Sequence, residues 1–292
     1  MALSSLESSI LATVAYADVF SFPLSEAELW YYFYPVQACR LNKTLFRQSL
    51  THLIERKYLR QESGYITFYN QTKSLVNREK SEKYTQAKVS FSKFYASILF
   101  CIPSILFIGI SGSVAAHNAV RDDDIDFIII CEQGTIWATR FLVYFVLKLL
   151  NSKRKRNEDN PNNKICTNFF ITNRSLSMSK NRRNIYTAHE IANILPLFDR
   201  NNTYQQFWAN NAWVHEFLPH VKNVVIETDR RRNATTRALL RLLNPIVKYP
   251  QIWYMHPHLT NETITDDMLA FHPRDAMSDT LKAFNKILTQ LH

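Results

Sequence analysis

Only four glycines occur among 292 residues, where average usage would give roughly twenty, so tight turns and close backbone approaches are confined to a few places. Two of the four fall in one stretch, which from Ile108 reads IGISGSVAAHNAVRDDDIDFIII. Gly109 and Gly112 open a turn that ends in Ser113. Ten residues further on, Asp124-Ile125-Asp126 enters an apolar run. In a strand, residues two apart point to one face, so Asp124 and Asp126 project together while Ile125 and Phe127 pack beneath. Two carboxylates held that close repel unless a cation neutralises them, and Mg²⁺ suits such oxygen donors. The Gly112-Ser113 turn opens a helix whose free N–H groups favour an anion, and the Ser113 hydroxyl can add a hydrogen bond to a phosphate. One contiguous stretch thus brings a metal and a polyphosphate together. An EF-hand loop does not fit the alternating Asp122, Asp124 and Asp126, because its sixth position is Phe127 and its twelfth is Gln133.

Around this motif the pattern divides into four segments. Residues 1–72 carry helical apolar spacing at Leu6, Ile10, Leu11, Val14 and Ala15, then Pro23. A Ser25–Glu28 capping box starts a second helix, and a third follows Asn42 with Leu45, Leu50, Leu53 and Ile54 on its apolar face. The segment YLRQESGYITFY then alternates around Ser63-Gly64, a hairpin signal. Three helices and a hairpin resemble a winged-helix domain, whose third helix here would carry Lys43, Arg47, Arg56 and Lys57. Residues 73–100 form a polar, basic linking helix from about Leu75 to Leu99, with Arg78, Lys80, Lys83 and Lys88. Residues 101–175 read as strand, motif helix (Ser113 to Val120), strand (Ile125 to Cys131), helix (Thr135 to Leu150), charged loop and strand (from Lys164). Residues 176–292 read as mostly helical. The fold class expected is α+β: a small mixed-sheet core flanked by an N-terminal winged helix and a helical C-terminal region.

Hydrophobic–Gly-Ser, ten residues, then Asp–hydrophobic–Asp–hydrophobic resembles the signature of the DNA polymerase β-type nucleotidyltransferase superfamily. The motif spans about twenty residues, and strand–helix–strand order extends the likeness over roughly Ile102 to Thr172. The resemblance implies that Gly112 and Ser113, with Ser111 beside them, bind the β- and γ-phosphates of a nucleoside triphosphate. It implies that Asp124 and Asp126 hold Mg²⁺, or Mn²⁺ in its place, for in-line transfer of a nucleoside monophosphate to a hydroxyl with release of pyrophosphate. The acceptor stays open between a small molecule, an RNA end and a protein side chain. The superfamily usually adds a third carboxylate from a later strand. The strand in that place, KICTNFFIT, offers Asn168, which can ligate but cannot take a proton; Glu158, Asp159 and Glu190 are the substitutes elsewhere.

A second reading stays open beside the enzyme: a non-catalytic regulator, with a DNA-binding winged helix and a degenerate core that senses nucleotide. The missing acid favours it and the intact Gly-Ser and Asp-x-Asp oppose it. A net charge of +10, from 35 Lys+Arg against 25 Asp+Glu, suits a nucleic acid or a triphosphate equally. The basic run Lys153 to Arg156 reads as a solvated loop that could steer a polyanion, and Asp122-Asp123 as a solvated turn. His117 reads as a partly exposed helical position, the pair His189-Glu190 as structural or as support behind the site, and Tyr204, Phe207, Trp208 and Trp213 as core. Cys39, Cys101, Cys131 and Cys166 form no CxxC pair, which points to a reducing compartment without disulfide or zinc. Glu7 and Asp18 break any leader-like run, and the apolar stretches Phe94 to Ile110 and Thr139 to Leu150 fall short of the ~20 residues a span needs. A soluble, cytoplasmic protein without membrane contact is the expectation.

Overall fold

Two serine caps set the entry to the N-terminal region. In the computed structural model, which describes residues 3–37, 42–71, 75–154, 161–229, 234–256, 262–271 and 276–291, Ser4 and Glu7 close a capping box on α1 (Ser5–Val19). After β1 (Leu24–Ser25), Ser25 and Glu28 do the same for α2 (Glu26–Tyr31), as their spacing implies. Asn42 caps α3 (Lys43–Glu55). That cap leaves Leu45 in the first turn facing outward, against expectation, and turns Phe46 into the core with Leu50 and Leu53. The hairpin β2 (Leu59–Glu62) and β3 (Tyr65–Phe68) closes through Ser63 and Gly64, both at positive φ, the conformation that matches strand twist in a two-residue turn. With β1 the hairpin makes a three-stranded antiparallel sheet ordered β1-β3-β2.

The long helix α4 (Leu75–Leu99) leads into the main sheet. Then come β4 (Ile105–Ser111), the short α5 (Gly112–Ala115), β5 (Ile125–Cys131), α6 (Ile136–Leu149) and β6 (Ile165–Thr172). The motif helix expected to reach Val120 ends after one turn, because His117 takes positive φ and the chain turns towards the acidic loop. Beyond it lie α7 (Ile185–Ala192), β7 (Leu195–Arg200), α8 (Thr203–Asn210), α9 (Val214–Phe217), β8 (Thr228–Asp229), α10 (Ala234–Met255), β9 (Thr263–Ile264), β10 (Met268–Ala270) and α11 (Ala276–Leu291).

The segment expected to be mostly helical supplies four of the seven strands, ordered β8-β7-β4-β5-β6-β10-β9. The sheet therefore does not end near residue 175. Asn193 caps α7, and Leu195–Arg200 finds backbone partners on β4; Pro196 is tolerated because it faces Gly109 where the register shifts. The sheet is mixed: β4 runs antiparallel to β5 and β7, while β5 and β6 are parallel across α6. Both faces are covered, which is why β4 and β5 read as unbroken apolar runs. Ile125, Phe127 and Ile129 point into one core, with Trp137 and Val143 of α6. Ile128 and Ile130 point into the other, with Ala188, Tyr204, Phe207, Trp208 and Trp213. The four C-terminal aromatics are thus core, as their helical spacing implies.

The architecture is α+β, a mixed sheet flanked by N- and C-terminal helical regions. Among the described residues no helix is long and apolar enough to cross a membrane.

Candidate metal and nucleotide site

Ser111, the last residue of β4, pairs directly with Asp126 of β5, so the Gly-Ser turn and the carboxylates meet by sheet register. Gly112 then adopts φ 68°, and a Cβ there would stand 2.7 Å from Asp126 Oδ2. Only glycine lets the backbone turn this tightly against the carboxylate. Gly109 plays a different part from the one its place in the motif implies. It lies mid-strand, where a Cβ would strike the Phe107 ring at 2.8 Å. The first-turn N–H groups that follow Ser111 have no carbonyl a turn earlier to donate to, and the Ser111 side chain makes no cap bond.

Asp126 shares its strand face with Ile128 and Ile130 and so looks towards α7. Asp124 precedes the strand. The acceptor atoms of Asp124, Asp126 and Cys166 lie within 4.8 Å of one another. Burial first, and the Asp124 charge second, push the Asp126 carboxyl up to about 6, against the lowering effect of its Asn168 hydrogen bond. Asn168 reaches that position through a bulge. Between Asp126–Cys166 and Ile128–Phe169 the pairing gains one residue on β6, and the Asn168 Nδ2 donates to Asp126 Oδ1 at 3.1 Å. The Cys166 thiol donates to Asn168 Oδ1 at 2.8 Å, and burial with the two nearby carboxylates raises its pKa, so it stays a neutral neighbour.

Two adjacent carboxylates, one acid already strained by the charge of the other, fit a hard divalent cation, while the Asn168 amide is engaged by Asp126 and Cys166. Arg154 balances part of that charge, with Nη1 2.5 Å from Asp124 Oδ2. It belongs to the basic run expected to be solvated. Lys153 packs its Nζ 3.2 Å from the centre of the Tyr144 ring, and burial lowers its pKa to about 8. Lys155, Arg156, Glu158 and Asp159 lie outside the described residues.

Asp123 also departs from the expected solvated turn. It accepts from Ser113 Oγ at 2.8 Å and from the Val120 N–H at 3.0 Å, tying the acidic loop to the Gly-Ser turn. Lys88 holds the same loop from below. Its buried Nζ donates to the carbonyls of Arg121 (3.0 Å) and Asp123 (2.6 Å) and to Asn162 and Asn163. The sequence carried a signal for this residue: Tyr84, Lys88, Phe91 and Tyr95 recur at helical spacing, which sets a lysine within an apolar stripe.

A cavity of about 340 Å³ opens beside Gly112, Asp126 and Asn168. Its opposite wall comes from α1, from Phe22 and Tyr32, and from Tyr186, His189 and Glu190 of α7. His189 stacks on Tyr16, ring centres 4.1 Å apart, and burial pushes its pKa down to about 3, so its imidazole is neutral. Burial and the nearby Asp126 charge push the Glu190 carboxyl up to about 7. Glu190 is therefore the one substitute acid among the described residues that shares a cavity with Asp126. Arg78 fastens this wall to the core. It pairs with Glu28 of the second capping box, lies 3.8 Å from the Phe22 ring centre and donates to the His117 carbonyl.

Compared with protein-family models, curated proteins and solved structures, the chain matches none.

Proposed function

We propose that this protein is a metal-dependent nucleotidyltransferase of the DNA polymerase β type that moves a nucleoside monophosphate from a triphosphate to an acceptor hydroxyl. The observation that carries the reading is the contact of Gly112 with Asp126. A glycine turn that only a missing Cβ permits sits edge to edge with a carboxylate pair. Asp124 and Asp126 would hold Mg²⁺ or Mn²⁺, and the bound ion would neutralise phosphate charge and acidify the acceptor hydroxyl.

The chain does the rest. Asn168 fixes the rotamer of Asp126, and Lys88 and Asp123 fix the loop that carries Asp124. The backbone N–H groups after Ser111 and the Ser111 hydroxyl would donate hydrogen bonds to the β- and γ-phosphates, and Ser113 would join them on turning its hydroxyl away from Asp123. Arg154, paired with Asp124, would be free to meet the polyphosphate with a cation held at that carboxylate. The acceptor oxygen forms its bond to the α-phosphorus as the bond to the bridging oxygen breaks. Pyrophosphate leaves with the electron pair, and the hydroxyl proton passes to solvent.

The N-terminal region has the order of a winged helix, with α1 and the residues flanking β1 walling the cavity. Its Arg47 is exposed and paired with Glu26 at 2.6 Å. The test is to incubate the protein with each labelled nucleoside triphosphate and Mg²⁺, with small-molecule alcohols, RNA or cell extract as acceptors. Label transfer that vanishes in Asp124→Ala and Asp126→Ala supports the enzyme. Nucleotide binding without turnover under every condition would return the reading to a sensor.

A further inference from the structure

The cavity beside the carboxylates has a charge opposite to that of the molecule. The protein carries a net +10, yet no lysine or arginine is among the described residues lining the cavity, which include the carboxylates of Asp126 and Glu190. Its one imidazole, His189, is neutral and stacked on Tyr16. If a cation is held at Asp124 and Asp126, their charge is met. Among the described residues none donates a hydrogen bond to Glu190, and burial with the Asp126 charge raises its pKa. The rings of Tyr16, Phe20, Phe22, Tyr32 and Tyr186 line the same cavity. Carboxylates in a cavity lined largely by aromatic side chains, with no lysine or arginine among its described lining, suit an ammonium group by charge, with cation–π attraction from any ring face left open to it. A polyphosphate is repelled by Glu190 and belongs against Ser111, Gly112 and Ser113 at the other wall of the same cavity. The volume of about 340 Å³ admits a compact molecule and excludes a folded nucleic acid.

We propose that this cavity binds a compact organic ammonium, and that the acceptor of the transfer is an amino alcohol whose cationic end meets Glu190 and whose hydroxyl lies towards Asp126. Naming that molecule the acceptor rests on the nucleotidyltransferase reading; the cation site itself does not. The bond changes are those given above, with the ammonium a spectator.

The test is calorimetric titration of the full chain with choline, ethanolamine and tyramine, each against an uncharged counterpart, such as dimethylbutanol for choline. At least one ammonium is expected to bind about ten-fold more tightly than its neutral counterpart. Glu190→Gln is expected to remove that preference. Tyr186→Leu, which keeps the charge and removes a ring, is expected to weaken binding several-fold, and it serves as the test if Glu190→Gln does not fold. Equal binding of charged and uncharged partners, no binding of any cation up to about 10 mM, or displacement of the cation by a nucleoside alone would overturn the proposal. Asp124 does not line the cavity, so Asp124→Ala is expected to keep cation binding while losing transfer. Cation binding in a protein that transfers no nucleotide would leave the ammonium site standing and remove the enzyme reading. Transfer to neutral alcohols without cation binding would do the reverse.

Discussion

At the scale of single residues, Gly112 is constrained twice over. Its φ of 68° is one that side-chain-bearing residues avoid, and the space a Cβ would take belongs to Asp126 Oδ2. Gly112→Ala is expected to cost about 1–2 kcal/mol of folding stability from the backbone conformation alone. It is also expected to push Asp126 away from Asp124, so that metal and nucleotide affinity fall more than the stability does. Urea unfolding read beside a nucleotide titration separates the two effects. An alanine variant with unchanged affinity would mean that the turn and the carboxylate do not work together. Gly112, Ser113, Asp124 and Asp126 were legible in the sequence because a turn and a period-two strand are local features. The role of Ser113 was only half legible: its hydroxyl meets Asp123, a pairing set by where the chain goes after His117.

Among elements, α4 decides where the acidic loop lies. Its limits follow from the sequence pattern, but its basic residues do not behave as a solvated set, since Arg78 and Lys88 are buried. A lysine ammonium that meets two carbonyls and two asparagine side chains replaces the water that loop would otherwise require. Lys88→Met is expected to keep the packing volume and strand those acceptors, at a cost of about 2–3 kcal/mol. A parallel loss of metal affinity is expected as Asp124 loosens. Thermal unfolding with metal titration checks both, and Lys88→Met with full metal affinity would show that the loop needs no such anchor. Strand β7 marks the limit of local reading. Leu195–Arg200 follows a helix and contains a proline, and nothing within it announces that β4 has a free edge waiting. Glu190 was named from the sequence as one substitute acid of three, and its place was not legible for a related reason. Helix periodicity says which residues share a face, but only the packing of α7 on the sheet says that this face looks at Asp126.

At the scale of the whole molecule, the N-terminal region and the sheet are joined through the cavity. Tyr16 of α1 packs on His189 and Phe284, and Arg78 ties α4 to Glu28 and to the backbone after the Gly-Ser turn. One cooperative transition is therefore expected when unfolding is followed by far-UV circular dichroism and by tryptophan fluorescence together. Two separated transitions would show that the N-terminal region folds apart from the site it walls. The central claim is that Asp124 and Asp126 form a divalent-cation site completed by a triphosphate. Mn²⁺ binding followed by electron paramagnetic resonance, with and without a nucleoside triphosphate, reads it most directly. The expected result is binding that tightens with nucleotide and is lost in Asp124→Asn/Asp126→Asn. Because the Asp126 carboxyl titrates near 6 and must give up its proton to bind, affinity should fall as the pH drops from about 7 to about 5. Mn²⁺ binding that the double variant leaves intact, or that ignores both nucleotide and pH, would contradict it.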